Sequence, residues 1–372
     1  MATFETLGIS SDLIKGLNEL SINKPTPIQE KTIPFLLEKG TDFIGQAQTG
    51  TGKTAAFGLP LLMKINPKVP KIQALVLSPT RELGQQIAKQ LFKFTKYCDH
   101  KIFVEAVYGG EKIEIQTARL NRPTHIVVAT PGRLIDLLNR KALSIEDVKT
   151  IVLDEADEML SMGFKKELDT VLKHTKGKRH TWLFSATMPK EILEIINKYM
   201  AHDAFKVQVD KESVVNRDID HFYKTCDSND KLNVLLQFLK SQGDHRGVIF
   251  CKTKVMAQTL AKQLQAKNVL ADAIEGDMQQ RDREKVMRAF KNEKLKILVA
   301  TDLAARGIDV DGLAYVVHYQ LPDQIEYYTH RSGRTARAGK SGLSLSLVTK
   351  DEMKNLHFIE KNLGINILES KL

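Results

Sequence analysis

The chain has 372 residues, which suggests two domains at about 150 residues each. It carries 55 Lys and Arg against 45 Asp and Glu, a formal net charge of +10, with 42% hydrophobic and 27% charged residues. That composition supports packed cores and excludes a disordered chain. No apolar run approaches the ~18 residues of a membrane span, and Met1-Ala2-Thr3-Phe4-Glu5 lacks the basic-then-apolar start of a signal peptide. Cys98, Cys226 and Cys251 stand far apart with no CxxC pair, which argues against a disulfide framework or a cysteine-rich zinc site. A soluble, cytoplasmic protein is the expectation. The positive excess hints at a polyanionic partner and is spread along the chain. Residues 1–209 hold 29 basic and 23 acidic side chains, and residues 210–372 hold 26 and 22.

In chain order, a first train of short apolar runs comprises Asp42-Phe43-Ile44, Ala74-Leu75-Val76-Leu77, His125-Ile126-Val127-Val128, Thr150-Ile151-Val152-Leu153 and Thr181-Trp182-Leu183-Phe184. A second comprises Gly247-Val248-Ile249-Phe250, Lys296-Ile297-Leu298-Val299, Tyr315-Val316-Val317-His318 and Leu343-Ser344-Leu345-Ser346-Leu347. Most runs are continuous rather than alternating, the mark of strands buried on both faces of a parallel sheet. Helical patterns between them predict two α/β domains. The polar stretch near 210–217 has no helical period and reads as a linker, dividing the chain into 1–209 and 218–372. Met353, Leu356, Ile359 and Leu363 predict a last helix that Gly364 stops.

Polar, glycine-rich clusters follow the strands. In open α/β sheets ligands bind beyond the carboxyl ends of the strands, so these clusters are expected along one edge. Ala47-Gln48-Thr49-Gly50-Thr51-Gly52-Lys53-Thr54 is a phosphate loop. Its backbone N–H groups and helix N-terminus suit phosphate oxygens, Lys53 suits the β- and γ-phosphates, and the Thr54 hydroxyl suits Mg²⁺. Asp154-Glu155-Ala156-Asp157 ends an apolar strand. Strand-end acids there supply a metal partner, assigned to Asp154, and a group that positions the attacking water, assigned to Glu155. Arg331, Arg334 and Arg337 recur every third residue, a spacing expected to line guanidinium forks along one side for phosphate contact.

With these motifs in place, the chain resembles a DEAD-box RNA helicase, in a minimal two-domain form of bacterial type. Phe4 lies seventeen positions before Ser21-Ile22-Asn23-Lys24-Pro25-Thr26-Pro27-Ile28-Gln29, the spacing of the family's Q motif, in which the glutamine reads adenine. There follow, in family order, the phosphate loop, Pro79-Thr80-Arg81-Glu82-Leu83, Gly109-Gly110, Thr130-Pro131-Gly132-Arg133, Asp154 to Asp157 and Ser185-Ala186-Thr187. The second half adds Val248-Ile249-Phe250, Gln280 with Arg283, Thr301-Asp302, Arg306-Gly307-Ile308-Asp309 and the arginine cluster.

The resemblance implies two tandem RecA-like domains, ATP and Mg²⁺ as ligands, single-stranded RNA or a short duplex as partner, and a monomer. It implies that Phe4 and Gln29 bind nucleotide and that Gly307, Asp309, Arg334 and Arg337 complete the ATP site from the second domain. Pro79, Thr80, Arg81, Gly110, Thr130, Gly132, Arg133, Arg283 and Thr301 would contact the RNA backbone, and Ser185 and Thr187 would couple hydrolysis to strand release. Three departures stand out: Ser21-Ile22 replaces a Gly-aromatic pair, Ser332 and Ala336 replace Ile and Gly, and Cys251 follows its strand. The rival readings are an ATP-gated RNA clamp with little unwinding, and a DNA translocase, against which the Gln29 segment argues. A small-molecule P-loop kinase leaves the second half unexplained.

Overall fold

The computed structural model describes residues 2–38, 41–48, 50–175, 179–209, 218–305, 313–336 and 341–370. The chain divides into two compact units, Met1–Val209 and Asp210–Leu372. The expected linker at 210–217 lies outside the described residues.

The first unit contains β1 (Phe43–Gln46), β2 (Ala74–Leu77), β3 (Val104–Val107), β4 (Ile126–Ala129), β5 (Thr150–Leu153), β6 (His180–Ser185) and β7 (Phe205–Gln208). They form one sheet in the order β3-β4-β2-β5-β6-β1-β7. The second unit contains β8 (Ile219–Thr225), β9 (Gly247–Cys251), β10 (Ala271–Ile274), β11 (Ile297–Thr301), β12 (Tyr315–His318), β13 (Gly342–Val348) and β14 (Leu368–Glu369). Their order is β10-β11-β9-β12-β13-β8-β14, the same permutation as in the first unit. Every strand pairing is parallel. These are two tandem RecA-like domains.

Both faces of each sheet are covered, which is what the continuous apolar runs demand. Successive residues of one strand feed opposite cores. Val76 packs in the first unit's cluster around Phe57, Trp182 and Phe184, while Leu75 and Leu77 pack around Leu134, Met159 and Val171. In the second unit Ile249 and Val317 go to one face, and Val248 and Val316 to the other. The sequence runs locate nine of the fourteen described strands. Four of those they miss, β3, β7, β10 and β14, are sheet edges, and β8 neighbours one. An edge strand has less surface to bury, so its pattern carries polar residues: β7 reads Phe-Lys-Val-Gln with only Val207 buried.

The terminal helix runs Met353–Leu363, and Gly364 at φ +63° ends it. No helix among the described residues is long and apolar enough to cross a membrane.

The second unit buries a histidine network. His318 Nε2 lies 3.2 Å from Ser332 Oγ and 3.1 Å from Ser344 Oγ. Its ring stacks on Tyr328 at 4.5 Å, and the Tyr328 hydroxyl lies 3.0 Å from His221 Nδ1. Burial pushes His221 down to about 4 and holds His318 well below its ordinary value, an effect that the Arg331 charge reinforces. Both rings are therefore neutral when folded and take a proton near pH 6.5 when unfolded. Their contribution is complete above pH 6.5 and is lost as pH falls below it, for His221 by up to about 2 kcal/mol at pH 5. The urea midpoint read by circular dichroism should drop between pH 7.5 and pH 5, and His221→Gln should make that drop smaller.

Candidate nucleotide site and nucleic-acid face

Because every pairing in the first sheet is parallel, the segments after β1, β2, β4, β5 and β6 all emerge at one edge, as the sequence implies. After β1 the chain turns through Gly50 at φ +86° and Gly52 at φ +88° before the helix Lys53–Lys64. Gly52 is required twice over. Its backbone is left-handed, and a Cβ there would sit 2.4 Å from Gln29 Nε2. Gln29 is 2% exposed. Its Oε1 accepts from Thr26 N–H at 3.0 Å, and its Nε2 donates to the Gly52 carbonyl at 3.0 Å. Thr26 Oγ1 donates to the Thr51 carbonyl at 2.8 Å. The Thr26–Gln29 segment is thus a brace for the phosphate loop. Lys53 is buried and donates to the Ala47 carbonyl at 3.0 Å, and Thr54 is half-buried behind it. Phe4 packs in the core with Leu7 and Ile9. Thr49 lies outside the described residues.

Asp154 follows β5 and is 2% exposed. Burial pushes its carboxyl up to about 7, against the pull of Lys53 and with the Glu155 charge adding to the rise. Glu155 sits at φ +50°, a left-handed conformation that costs a non-glycine residue on the order of 1–2 kcal/mol. The strain falls on the residue assigned to the attacking water. A buried acid pushed toward its neutral form is one that a cation would return to the carboxylate. The Asp154 carboxylate after β5 and the Thr54 hydroxyl after β1 would offer all-oxygen, anionic donors, a chemistry that fits Mg²⁺.

The next acid, Asp157, was not singled out by sequence. Its Oδ2 accepts from both the backbone N–H and the hydroxyl of Thr187, each at 2.8 Å. Ser185 Oγ donates to the Thr187 carbonyl at 2.7 Å and accepts from Asp157 N–H at 3.3 Å. The segments after β5 and β6 are therefore tied by one carboxylate and two hydroxyls.

The remaining first-unit residues line the same edge. Pro79 and Thr80 follow β2, and Thr80 Oγ1 caps the helix Arg81–Phe94 by accepting from Leu83 N–H at 3.3 Å. Thr130 precedes the helix Pro131–Asn139 without a side-chain cap bond. Gly110 has φ +88°, which explains its glycine. Gly132 is different: a Cβ there would meet nothing within 4 Å. Among the described residues no neighbour requires that glycine, which suits close approach by another molecule. Arg133 Nη1 and Nη2 both donate to the Glu111 carbonyl at 3.0 Å, so it braces the Gly110 turn.

Residues 26–195 match the family model described as DEAD/DEAH box helicase, and residues 230–339 match that for the helicase conserved C-terminal domain. The DEAD-box ATP-dependent RNA helicase CshA of Geobacillus kaustophilus is 43% identical over 362 residues, covering 97% of this chain and 76% of that one. Its Bacillus subtilis counterpart is 42% identical over 360 residues, covering 96% and 72%. The chain belongs to the DEAD-box helicase family. Among solved structures, S. cerevisiae Dbp5 bound to RNA and ADP BeF3 matches at a TM-score of 0.91 with 30% identity, covering 100% of this chain and 96% of that one. Mss116p bound to ssRNA and AMP-PNP matches at 0.88 with 28% identity, covering 100% and 80%.

The second unit of this DEAD-box protein corrects one expectation. Arg331 does not join a phosphate-facing row. Arg331 is 1% exposed, and its Nε and Nη2 grip Asp302 at 2.5 and 2.7 Å. Its Nη1 donates to the Gln320 carbonyl at 2.7 Å, and its guanidinium lies 5.2 Å over the Phe250 ring. A guanidinium so enclosed is a structural tie between the segments after β11 and before β13, with no edge left for phosphate. Arg334 follows in the turn after the helix Ile325–Ser332 and is 8% exposed. Thr301 ends β11 and is buried, and Arg283 Nη2 donates to the Ala304 carbonyl at 2.8 Å. Gly307, Asp309 and Arg337 lie outside the described residues.

The departures from the family pattern also find physical places. Ser332 replaces an apolar residue and lies within hydrogen-bond distance of His318 Nε2 and of Ser344 Oγ, the latter at 3.0 Å. Ser21 and Ala336 stand where the family commonly has glycine, and both are left-handed, at φ +59° and +53°. Ala336→Gly should therefore stabilise the protein by about 1 kcal/mol. Calorimetry should show the second unit's transition rising by ~2–4 °C, with Ala336→Val shifting it down.

Proposed function

We propose that the chain is an ATP-dependent RNA helicase, an RNA-stimulated ATPase that binds single-stranded RNA through its backbone and opens short duplexes locally. The observation that supports this best is the tie among Asp157, Ser185 and Thr187. It joins the acid strand end of the nucleotide site to the next strand end along the same sheet edge, in a chain 42–43% identical to proteins named RNA helicases.

Lys53 would bind the β- and γ-phosphates once drawn from the Ala47 carbonyl, and the loop N–H groups would cradle them. The segment containing Gln29 holds the loop in shape, and the second N–H of Gln29 Nε2 would read adenine. Thr54 and Asp154 would hold Mg²⁺, which when bound neutralises charge on the phosphate oxygens. Glu155 orients the water and takes its proton as the oxygen attacks the γ-phosphorus. The bond to the bridging oxygen breaks, and ADP and phosphate leave. From the second unit we assign Arg334 and Arg337 to the phosphate charge, along with Gly307 and Asp309. Pro79, Thr80, Arg81, Gly110, Thr130, Gly132, Arg133, Arg283 and Thr301 are assigned to RNA. Contact with the backbone makes affinity largely sequence-independent and salt-sensitive, and contact with 2′-hydroxyls favours RNA over DNA. We assign the active species as a cytoplasmic monomer.

Glu155→Gln decides the assignment. The variant should bind ATP and RNA about as wild type does while hydrolysis falls at least ~100-fold, as expected when a positioned base is removed. Turnover within a fewfold of wild type would remove Glu155 from the mechanism. A strand-displacement assay on wild type alone should release a short RNA strand, and failure to do so with ATPase intact would favour the clamp.

A further inference from the structure

The segment after β3 contains a side chain to which none of the functional assignments gives a role. Tyr108 is 7% exposed and ends in the Gly109-Gly110 turn. The Arg81 guanidinium lies over its ring, 4.6 Å from the centroid. Its hydroxyl accepts from Gln85 Nε2 at 2.7 Å. One aromatic side chain thus touches two polar residues of the first turn and a half of the helix Arg81–Phe94.

The backbone of Tyr108 is fixed as tightly. Gln116 is fully buried in the helix Ile113–Leu120. Its Oε1 accepts from Tyr108 N–H at 3.2 Å and its Nε2 donates to the Tyr108 carbonyl at 2.8 Å. The same Nε2 lies 2.9 Å from Glu111 Oε2, and Arg119 holds both Glu111 carboxylate oxygens at 3.1 and 2.5 Å. The Glu111 carbonyl in turn takes both Arg133 donors. The turn 108–111 is therefore a hub that reaches Arg81 on one side and Arg133 on the other.

The choice of a ring at position 108 has a physical consequence. A carboxylate there would orient Arg81 but would add a negative charge to a face assigned to a polyanion. A neutral ring orients the cation through its quadrupole and adds none. We propose that Tyr108 is a positioning residue for RNA: its ring sets the Arg81 guanidinium, its hydroxyl sets Gln85, and Gln116 fixes the turn that both depend on. The proposal rests on the reading of Arg81 as an RNA contact.

The test is a double-mutant cycle in the full chain, read as the RNA concentration for half-maximal ATPase. Tyr108→Leu should raise that concentration about 3- to 10-fold, the range a cation–π contact of this kind supports. The ATP KM and the kcat at saturating RNA should stay within about twofold, since the chemistry is elsewhere. Tyr108→Phe keeps the ring and should recover most of the affinity. In an Arg81→Ala background, Tyr108→Leu should add little, because the group it positions is gone. Additive effects, or a loss that falls equally on ATP KM and kcat, would overturn the proposal while leaving the RNA face intact. A silent Arg81→Ala would overturn the RNA reading of this face and the proposal with it. Melting curves of each variant separate misfolding from mispositioning, and Tyr108→Phe keeps the test sharp if Tyr108→Leu is destabilised.

Discussion

Parallel pairing is the constraint on which the rest of the molecule depends. A parallel strand cannot follow its neighbour by a short turn, so the chain must cross back over a face of the sheet before each new strand. The crossings cover both faces, bury Val76 toward one side and Leu75 toward the other, and leave the faces unable to bind anything polar. What remains accessible is the edge where strands end. Every polar group of the candidate site stands there because no other position exists for it. The phosphate loop after β1, the acids after β5 and the serine and threonine after β6 become neighbours through strand order, since β5, β6 and β1 are adjacent in the sheet.

Burial then sets the chemistry. Lys53 and Asp154 are removed from water at the floor of the edge. A buried carboxyl beside other acids is driven toward its neutral form, and the Lys53 charge offsets that only in part. The site is therefore short of positive charge at the point where a divalent cation would sit. Asp157, by contrast, is satisfied internally by Thr187 and Glu158 N–H groups. Two acids three residues apart thus differ in reach: Asp154 Oδ1 accepts from the N–H of its own neighbour Glu155 at 3.1 Å, whereas Asp157 also ties down the next strand end through Thr187. The tetrapeptide alone does not reveal which is which.

Much of this was legible from residue order, and the limits were physical. Central strands announced themselves because both faces are buried. Edge strands β3, β7, β10 and β14 did not, because half-burial permits Lys206, Glu105 or Asp272 within the run. The motifs after β1, β5 and β6 fall along one sheet edge, as their order implies, but periodicity misplaced Arg331. Spacing of three places residues along a helix face only while the helix lasts, and here it ends at Ser332. Whether an arginine meets a phosphate or an aspartate depends on what a distant segment brings. Asp302 was visible in the sequence as part of a motif, yet nothing local paired it with Arg331. Tyr108 escaped for the same reason, since its meaning lies in Arg81, Gln85 and Gln116, all from other elements.

The duplicated topology shows how far a fold determines a site. The two sheets have one strand permutation, and Lys231 begins the helix after β8 as Lys53 begins the helix after β1. Yet the intervening segment of the second unit, Cys226-Asp227-Ser228-Asn229-Asp230, has no glycine to turn its N–H groups inward, and it carries two acids that repel phosphate. Lys231 is buried like its counterpart, but its Nζ lies 2.9 Å from Glu352 Oε2 and 3.4 Å from the Tyr319 carbonyl. Its charge is neutralised inside the protein. In the first unit, among the described residues, the equivalent lysine donates to the Ala47 carbonyl, a neutral partner that a bound phosphate oxygen would displace. The same architecture thus sets the lysine assigned to phosphate on a neutral carbonyl in one unit and in a structural ion pair in the other, and the difference follows two glycines in one loop and one glutamate beyond β13.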